Sequence, residues 1–362
     1  MVSGLDAIAE KDSFDLQWEG LYRVVAVVIA NDERHGAVTP KLDPKEEHFR
    51  IPGEVQGLTL FLRYLPPNVR QTDASKVALY VHGATFPSAL SIAHRFDGRS
   101  WRDELADAGF HVWGLDFQGF GASDPYPEMA VSAKRNPALG RAEAASRQIE
   151  RAVHFIRDHH GGPKISIIAH SWGTIATGRF AGNCPDLVER LVFFGPITWR
   201  RKKVEQQSFP AWRLVSLKDQ WDRFTAEVPS GESAVLSKHH FEEWGPLYLD
   251  TDPESRTRSP ASVKTPSGPL QDIAAADAGD LGYDPGLIRA PLTIIRGEWD
   301  SLTTDADAHW LFDALKRSPM KCDVKISRAT HLMHLEENRH ALYRHTQAFL
   351  SGVDCPIESS RA

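Results

Sequence analysis

Cysteine is scarce. Three thiols, Cys184, Cys322 and Cys355, stand far apart in 362 residues, and no CxxC pair occurs. An odd, scattered set builds neither a disulfide framework nor a zinc site, and it suits a reducing compartment. Long apolar runs are missing too. The longest near the start, VVAVVIA at residues 24–30, falls well short of the about 20 residues that cross a bilayer. The opening MVSGLDAIAEKDSFD has no basic stretch leading into an apolar one, so no signal peptide is expected. Basic excess is also absent, with 42 lysines and arginines against 48 aspartates and glutamates. A net charge of −6 gives no electrostatic reason to bind nucleic acid or an anionic membrane. The one basic run, Arg200, Arg201, Lys202 and Lys203, reads as a solvated helix start. No repeat period, phosphate-binding P-loop or metal-ligand cluster is visible. The expectation is a cytoplasmic protein without metal or cofactor, whose partner is a small-molecule substrate.

What is present is the balance of a soluble globular protein, 41% apolar and 25% charged residues. The length exceeds what a single core usually organises, which implies one large domain with an inserted lobe, or two domains. Short strand-like runs at 48–51 and 58–65 are followed by an alternation. KVALYVHG (76–83), FHVWGLD (110–116), KISIIAH (164–170) and ERLVFFGPI (189–197) read as buried strands. Helical spacing at 99–109, 138–160 and after residue 171 separates them. The pattern lapses near residue 198 and resumes with PLTIIRGE (291–298), a helix near 305–317, KCDVKIS (321–327) and a last helix at 335–350. Strands alternating with helices of this length imply a mostly parallel sheet with right-handed crossovers.

The expected organisation is an N-terminal extension (1–45), a first core segment (46–197), an inserted, mainly helical lobe (198–288), a second core segment (289–352) and a tail (353–362). The lobe concentrates aromatics, among them Trp199, Trp212, Trp221, Trp244, Phe209, Phe224 and Phe241, and contains a Pro/Ser/Thr-rich stretch at 251–269 that reads as a surface loop.

Ligands of open parallel sheets bind at the carboxyl ends of the strands, and four such ends carry reactive groups. In AHSWG (169–173), strand, small-x-Ser-x-Gly and helix follow one another. Small residues let strand and helix approach while a sharp turn pushes the Ser171 hydroxyl out. A helix cap is the plainer role for such a serine, but the strand before it and the helix after it favour a nucleophile. VHGAT (81–85) ends an earlier strand. Its loop offers a backbone N–H, best that of Ala84, which with the N–H of Trp172 would hold an oxyanion. GEWDS (297–301) supplies an acid. Asp300, in the loop proper, is favoured over Glu298 at the strand end. THLMHLE (330–336) supplies a base, with His331 favoured over His334, and the order Ser, Asp, His is the one expected of such a fold.

These motifs together resemble the α/β-hydrolase fold family over residues 47–197 and 289–351. HGAT is similar to its oxyanion loop and LDFQGFGASD (115–124) to a mainly structural D-x-x-G-x-G-x-S turn. AHSWG resembles its nucleophile elbow, GEWD its acid loop and THLMHLE its histidine loop. Ala169 stands where glycine is commonest, and Ala329-Thr330 replaces a glycine-rich approach to the histidine. The resemblance implies a cap inserted at 198–288, whose aromatics would wall an apolar pocket above Ser171. It also implies a serine hydrolase acting on an ester, thioester or lactone with a hydrophobic acyl part. Ser-Trp-Gly also resembles proline iminopeptidases, whose HGGPG loop is missing from HGATFP. An aminopeptidase or amidase, a C–C bond hydrolase and an acyltransferase remain alternatives on the same triad, and a ligand-binding receptor is the non-enzymatic one. An aminopeptidase would present lobe carboxylates such as Glu227, Glu232, Glu242 or Glu243 to a substrate ammonium. Serine rather than aspartate at 171 argues against haloalkane dehalogenase and epoxide hydrolase chemistry.

Overall fold

A computed structural model describes residues 39–201 and 207–352. The expected VVAVVIA element, most of the N-terminal extension, Lys202, Lys203 and the 353–362 tail lie outside the described residues. Within them, runs of five to seven residues give β1 (Glu47–Pro52), β2 (Thr59–Leu65), β3 (Val77–Val81), β4 (His111–Asp116), β5 (Ile165–His170) and β6 (Val188–Phe194). The connecting helices are α1 (Trp101–Asp107), α2 (Ala142–His159) and α3 (Gly173–Asn183). After an interval come β7 (Trp212–Ser216), α4 (Leu217–Thr225), α5 (Lys238–Leu249), β8 (Ser262–Pro266) and α6 (Gly268–Asp277). The chain closes with β9 (Leu292–Gly297), α7 (Asp305–Ala314), β10 (Lys321–Ile326) and α8 (Arg339–Leu350).

Eight strands form one sheet in the order β1-β2-β4-β3-β5-β6-β9-β10. Pairing is antiparallel for β1 with β2 and β2 with β4, and parallel from β4 across to β10. The expected α/β class and mostly parallel sheet are therefore observed. Both faces of the central strands β3, β5 and β9 are covered, which explains why these are buried throughout, whereas the border strands β1 and β10 alternate. On β5, Ile165, Ile167 and Ala169 pack with Ile149, Val153 and Ile156 of α2. Ile168, pointing the other way, packs with Trp101 and Leu105 of α1. Each such buried aliphatic side chain contributes about 1.5–3 kcal/mol relative to exposure. Helix starts are fixed locally: Ser100–Asp103, Ser216–Asp219 and Thr304–Asp307 form reciprocal capping boxes at α1, α4 and α7.

β6 and β9 are sheet neighbours, so all of 198–288 departs from the sheet between them. Its described residues hold the helices α4, α5 and α6 and also an antiparallel ribbon in which β7 pairs with β8. β8 lies inside the stretch whose composition reads as loop. The ribbon forms because Val215 and Val263 pack inward onto Phe224, Trp244 and Tyr248. That cluster continues into Phe86, Leu332 and Leu335 of the loops around the sheet's carboxyl edge. Among the described residues, no helix is long and apolar enough to cross a membrane.

Candidate active site

β5 ends at His170, and the chain reverses into α3 within two residues. Ser171 takes a φ of 54°, the left-handed region that L side chains avoid. Such strain persists only where the surroundings enforce it. Here the reversal brings α3 against the end of β3 so closely that a Cβ on Gly173 would stand 2.4 Å from the His82 carbonyl oxygen. Gly83 faces the other side of the turn, where a Cβ would stand 3.2 Å from that of Ser171. Ala169, by contrast, is fully buried in β5 with its methyl in the core. A glycine is not required at that position.

The turn delivers the Ser171 hydroxyl to His331. Its Oγ lies 2.7 Å from His331 Nε2. His331 Nδ1 lies 3.0 and 3.1 Å from the two carboxylate oxygens of Asp300. An ionised carboxylate only accepts, so Nδ1 carries the proton and Nε2 accepts from serine. All three side chains are buried. Burial pushes the Asp300 carboxyl up, and this is outweighed by the imidazole and by the Leu302 and Thr303 N–H donors, which hold it below its ordinary value. Glu298 and His334 do not join this chain. Glu298 accepts from the Arg328 N–H at 2.9 Å. His334 is buried beside Phe86 and His170 with neither ring nitrogen bonded, and burial takes it down to about 3.

Ala84 lines the same cavity as Ser171, and Trp172 occupies the N-terminal cap of α3. Neither N–H donates to a loop or turn carbonyl. His82 has a structural task. Its Nε2 accepts from the Phe117 N–H at 3.1 Å, joining the ends of β3 and β4. Asp116, first residue of the D-x-x-G-x-G-x-S turn, accepts from the Ser88 and Ala122 N–H groups. That turn is structural, as expected.

Four further side chains support the site, and none was marked out for these tasks by the sequence. His170 donates from Nε2 to the His331 carbonyl at 3.1 Å. Glu227, just past α4, accepts from the His331 N–H at 2.8 Å and from the Ser301 N–H at 3.0 Å. Asp272 of α6 receives the Trp172 indole N–H at 2.9 Å, the Ala142 N–H at 2.6 Å and the Arg141 guanidinium. Glu336 receives the Thr330 N–H at 3.0 Å and the Thr330 hydroxyl. Thr330 thus serves as a donor where the family pattern has glycine. The motif THLMHLE carried a signal for Glu336; the other three are joined across long stretches of chain and left none.

Above Ser171 is a cavity of about 250 Å³. Phe86, Leu270, Ile273, Leu302 and Leu332 supply apolar wall. Of these, Leu270 and Ile273 come from the lobe, which also contributes Arg213 and Arg223. Among the described residues no lobe aromatic lines it; Phe224, Phe241, Trp244 and Tyr248 pack instead into a cluster with Phe86, a difference from the expectation that the aromatics wall the pocket. Among the described residues, no group of three His, Cys, Asp or Glu side chains is arranged to hold a metal ion.

Residues 63–338 match the family described as alpha/beta hydrolase fold. No curated protein matches the chain. Among solved structures it is similar to the thioesterase domain from the curacin biosynthetic pathway, at 14% identity over 84% of this chain and 99% of that one, with a TM-score of 0.55. It is also similar to a serine hydrolase from the polyaromatic hydrocarbon-degrading bacterium Cycloclasticus zankles, at 16% identity over 85% and 99% of the two chains, with a TM-score of 0.55. An esterase from Thermogutta terrifontis is 17% identical over 85% of this chain and all of that one, with a TM-score of 0.52. Identities this low speak for the fold alone. With the family matched over well more than half of its length, the chain belongs to the α/β-hydrolase fold family and is a hydrolase.

Proposed function

We propose that the chain is a serine hydrolase that cleaves a carboxylic ester, thioester or lactone through an acyl-enzyme. One observation carries this reading: the 2.7 Å contact between Ser171 Oγ and His331 Nε2, with Asp300 bonded behind the ring. His331 takes the hydroxyl proton as Ser171 attacks the acyl carbon. The oxyanion that forms is held by the Ala84 and Trp172 N–H groups, the latter aided by the N-terminus of α3. Collapse expels the alcohol or thiol, which leaves with the proton from His331. Water, deprotonated by the same ring, then attacks the acyl-serine and restores the free hydroxyl. Asp300 keeps Nδ1 protonated throughout and stabilises the imidazolium. In this reading residues 198–288 act as a cap over the cavity.

The aminopeptidase alternative is disfavoured by the charges around the cavity. A substrate ammonium needs a carboxylate, and the four candidates are otherwise engaged. Glu227 is committed to His331 and Ser301. Glu232 pairs with Arg328, Glu242 with Lys238 and Glu243 with His239. The decisive experiment is fluorophosphonate labelling combined with a panel of p-nitrophenyl esters and aminoacyl anilides. Ser171 should be labelled and esters turned over, and Ser171→Ala should abolish both while the protein stays folded. Turnover near wild type in that variant, or efficient cleavage of prolyl anilide without esterase activity, would reject the ester reading.

A further inference from the structure

Two arginines face the cavity without an anionic partner. Arg213 lies on β7, between half-buried Trp212 and exposed Leu214, opposite Thr265 of the ribbon. Arg223 lies in the last turn of α4. Both line the cavity together with Ser171 and His170. No carboxylate of the described residues comes within ion-pair distance of either, whereas Arg200, Arg258, Arg296 and Arg339 each find one. Arg213 Nε is moreover buried with no acceptor. An unsatisfied buried donor is costly, more so on a charged group, and a ligand that supplies an acceptor recovers that cost.

The electrostatics agree with the geometry. Burial lowers the Arg213 guanidinium from its ordinary value, Tyr248 and Asp219 oppose the fall, and the neighbouring Arg223 charge adds to it. Arg223 is an exposed side chain that also lines the cavity, with Glu227 and Asp300 the carboxylates whose charge reaches it. Two like charges are thus held beside one apolar pocket. Of the carboxylates that act on Arg223, Glu227 is already spent on His331 and Ser301 and Asp300 on His331.

We propose that Arg213 and Arg223 form an anion-binding subsite, so that the natural substrate carries a carboxylate in the part of the molecule lying under residues 198–288. A guanidinium presents two parallel N–H donors that match a carboxylate. The apolar wall of Leu270, Ile273 and Leu302 then accommodates the short carbon chain between that carboxylate and the scissile carbonyl. The substrate class is a half-ester or half-thioester of a dicarboxylic acid, or an ester whose alcohol bears the acid. This assignment rests on Ser171 being the nucleophile, and it is tested separately from it.

The probe pair is mono-p-nitrophenyl glutarate and p-nitrophenyl pentanoate, equal in length and different in terminal charge. Wild-type kcat/KM should favour glutarate by about tenfold or more, the usual effect of a charged hydrogen bond. Arg213→Gln and Arg223→Gln should each lower the glutarate-to-pentanoate ratio about tenfold, and Arg213→Lys and Arg223→Lys should recover part of it. A neutral ester preferred by wild type, or a ratio unmoved in both glutamine variants, overturns the subsite. A phosphate-ended ester of the same length, if preferred over glutarate, overturns the carboxylate assignment. Free glutarate provides the independent arm, by calorimetric titration of wild type and the glutamine variants. If Ser171 resists fluorophosphonate while glutarate binds wild type and not the variants, the nucleophile reading fails and the subsite stands. Labelling of Ser171 without glutarate binding or ester preference keeps the nucleophile and removes the subsite.

Discussion

His331 and His334 lie three residues apart in one loop, yet their surroundings differ completely. The first is bonded at both ring nitrogens, to Ser171 and Asp300, and through its backbone N–H to Glu227. The second is bonded at neither. His331→Ala should therefore cost several orders of magnitude in kcat, because members of such a chain act as a unit. His334→Ala should act mainly on stability, by loss of its packing against Phe86 and His170. The same contrast holds between Asp300→Asn, expected to be severe, and Glu298→Gln, expected to be mild. Steady-state kinetics on the four variants decides this, and a kcat collapse in His334→Ala with His331→Ala active would move the base. Ser171, Asp300 and His331 could be read from the sequence because each sits at a strand end in a fixed order. His170, Glu227 and Asp272 could not, since their partners lie 161, 104 and 100 residues away along the chain. Nothing local announces such contacts.

At the scale of elements, the strands and helices of the sheet were legible because each carries its own periodicity and its own caps. The β7–β8 ribbon was not. Its strands are five residues each and some fifty apart, and β8 carries the composition of a loop. Pairing of that kind is decided by what the strands bury rather than by intrinsic preference. The loop from β10 to α8 has a property its sequence also concealed. Burial raises the Glu336 carboxyl from 4.5 to about 7, with Thr330 opposing the rise and Glu227 and Asp300 adding to it. A raised carboxyl favours the fold below the unfolded value, and that advantage is lost as pH climbs through the folded one. Between pH 4.5 and 7 the loss amounts to about 3 kcal/mol. Melting curves across this interval should fall more steeply for wild type than for Glu336→Gln. Parallel slopes would mean that Glu336 stays ionised in the fold.

At the scale of the molecule, the segment between β6 and β9 is bound to the sheet's carboxyl edge by apolar packing as well as by polar ties. Trp244 is fully buried against Phe86 and Tyr248, and its indole N–H donates to the Leu90 carbonyl at 3.0 Å. Trp244→Ala should cost about 3–5 kcal/mol, seen as a lower denaturant midpoint, and loss of under 1 kcal/mol would mean that the segment packs independently. The strand order carries a consequence of a different kind. β9 and β10 form one border of the sheet, and the loops after them bear the proposed acid and base. During synthesis a chain can pair β1 to β6 and seat Ser171 while His331, 160 residues further on, is still unmade. At about 5–20 residues per second, that interval lasts roughly ten to thirty seconds. Throughout it the nascent protein displays the proposed nucleophile with no base to awaken it, so under the proposed mechanism the growing chain cannot attack acyl compounds around it before its own cavity has closed.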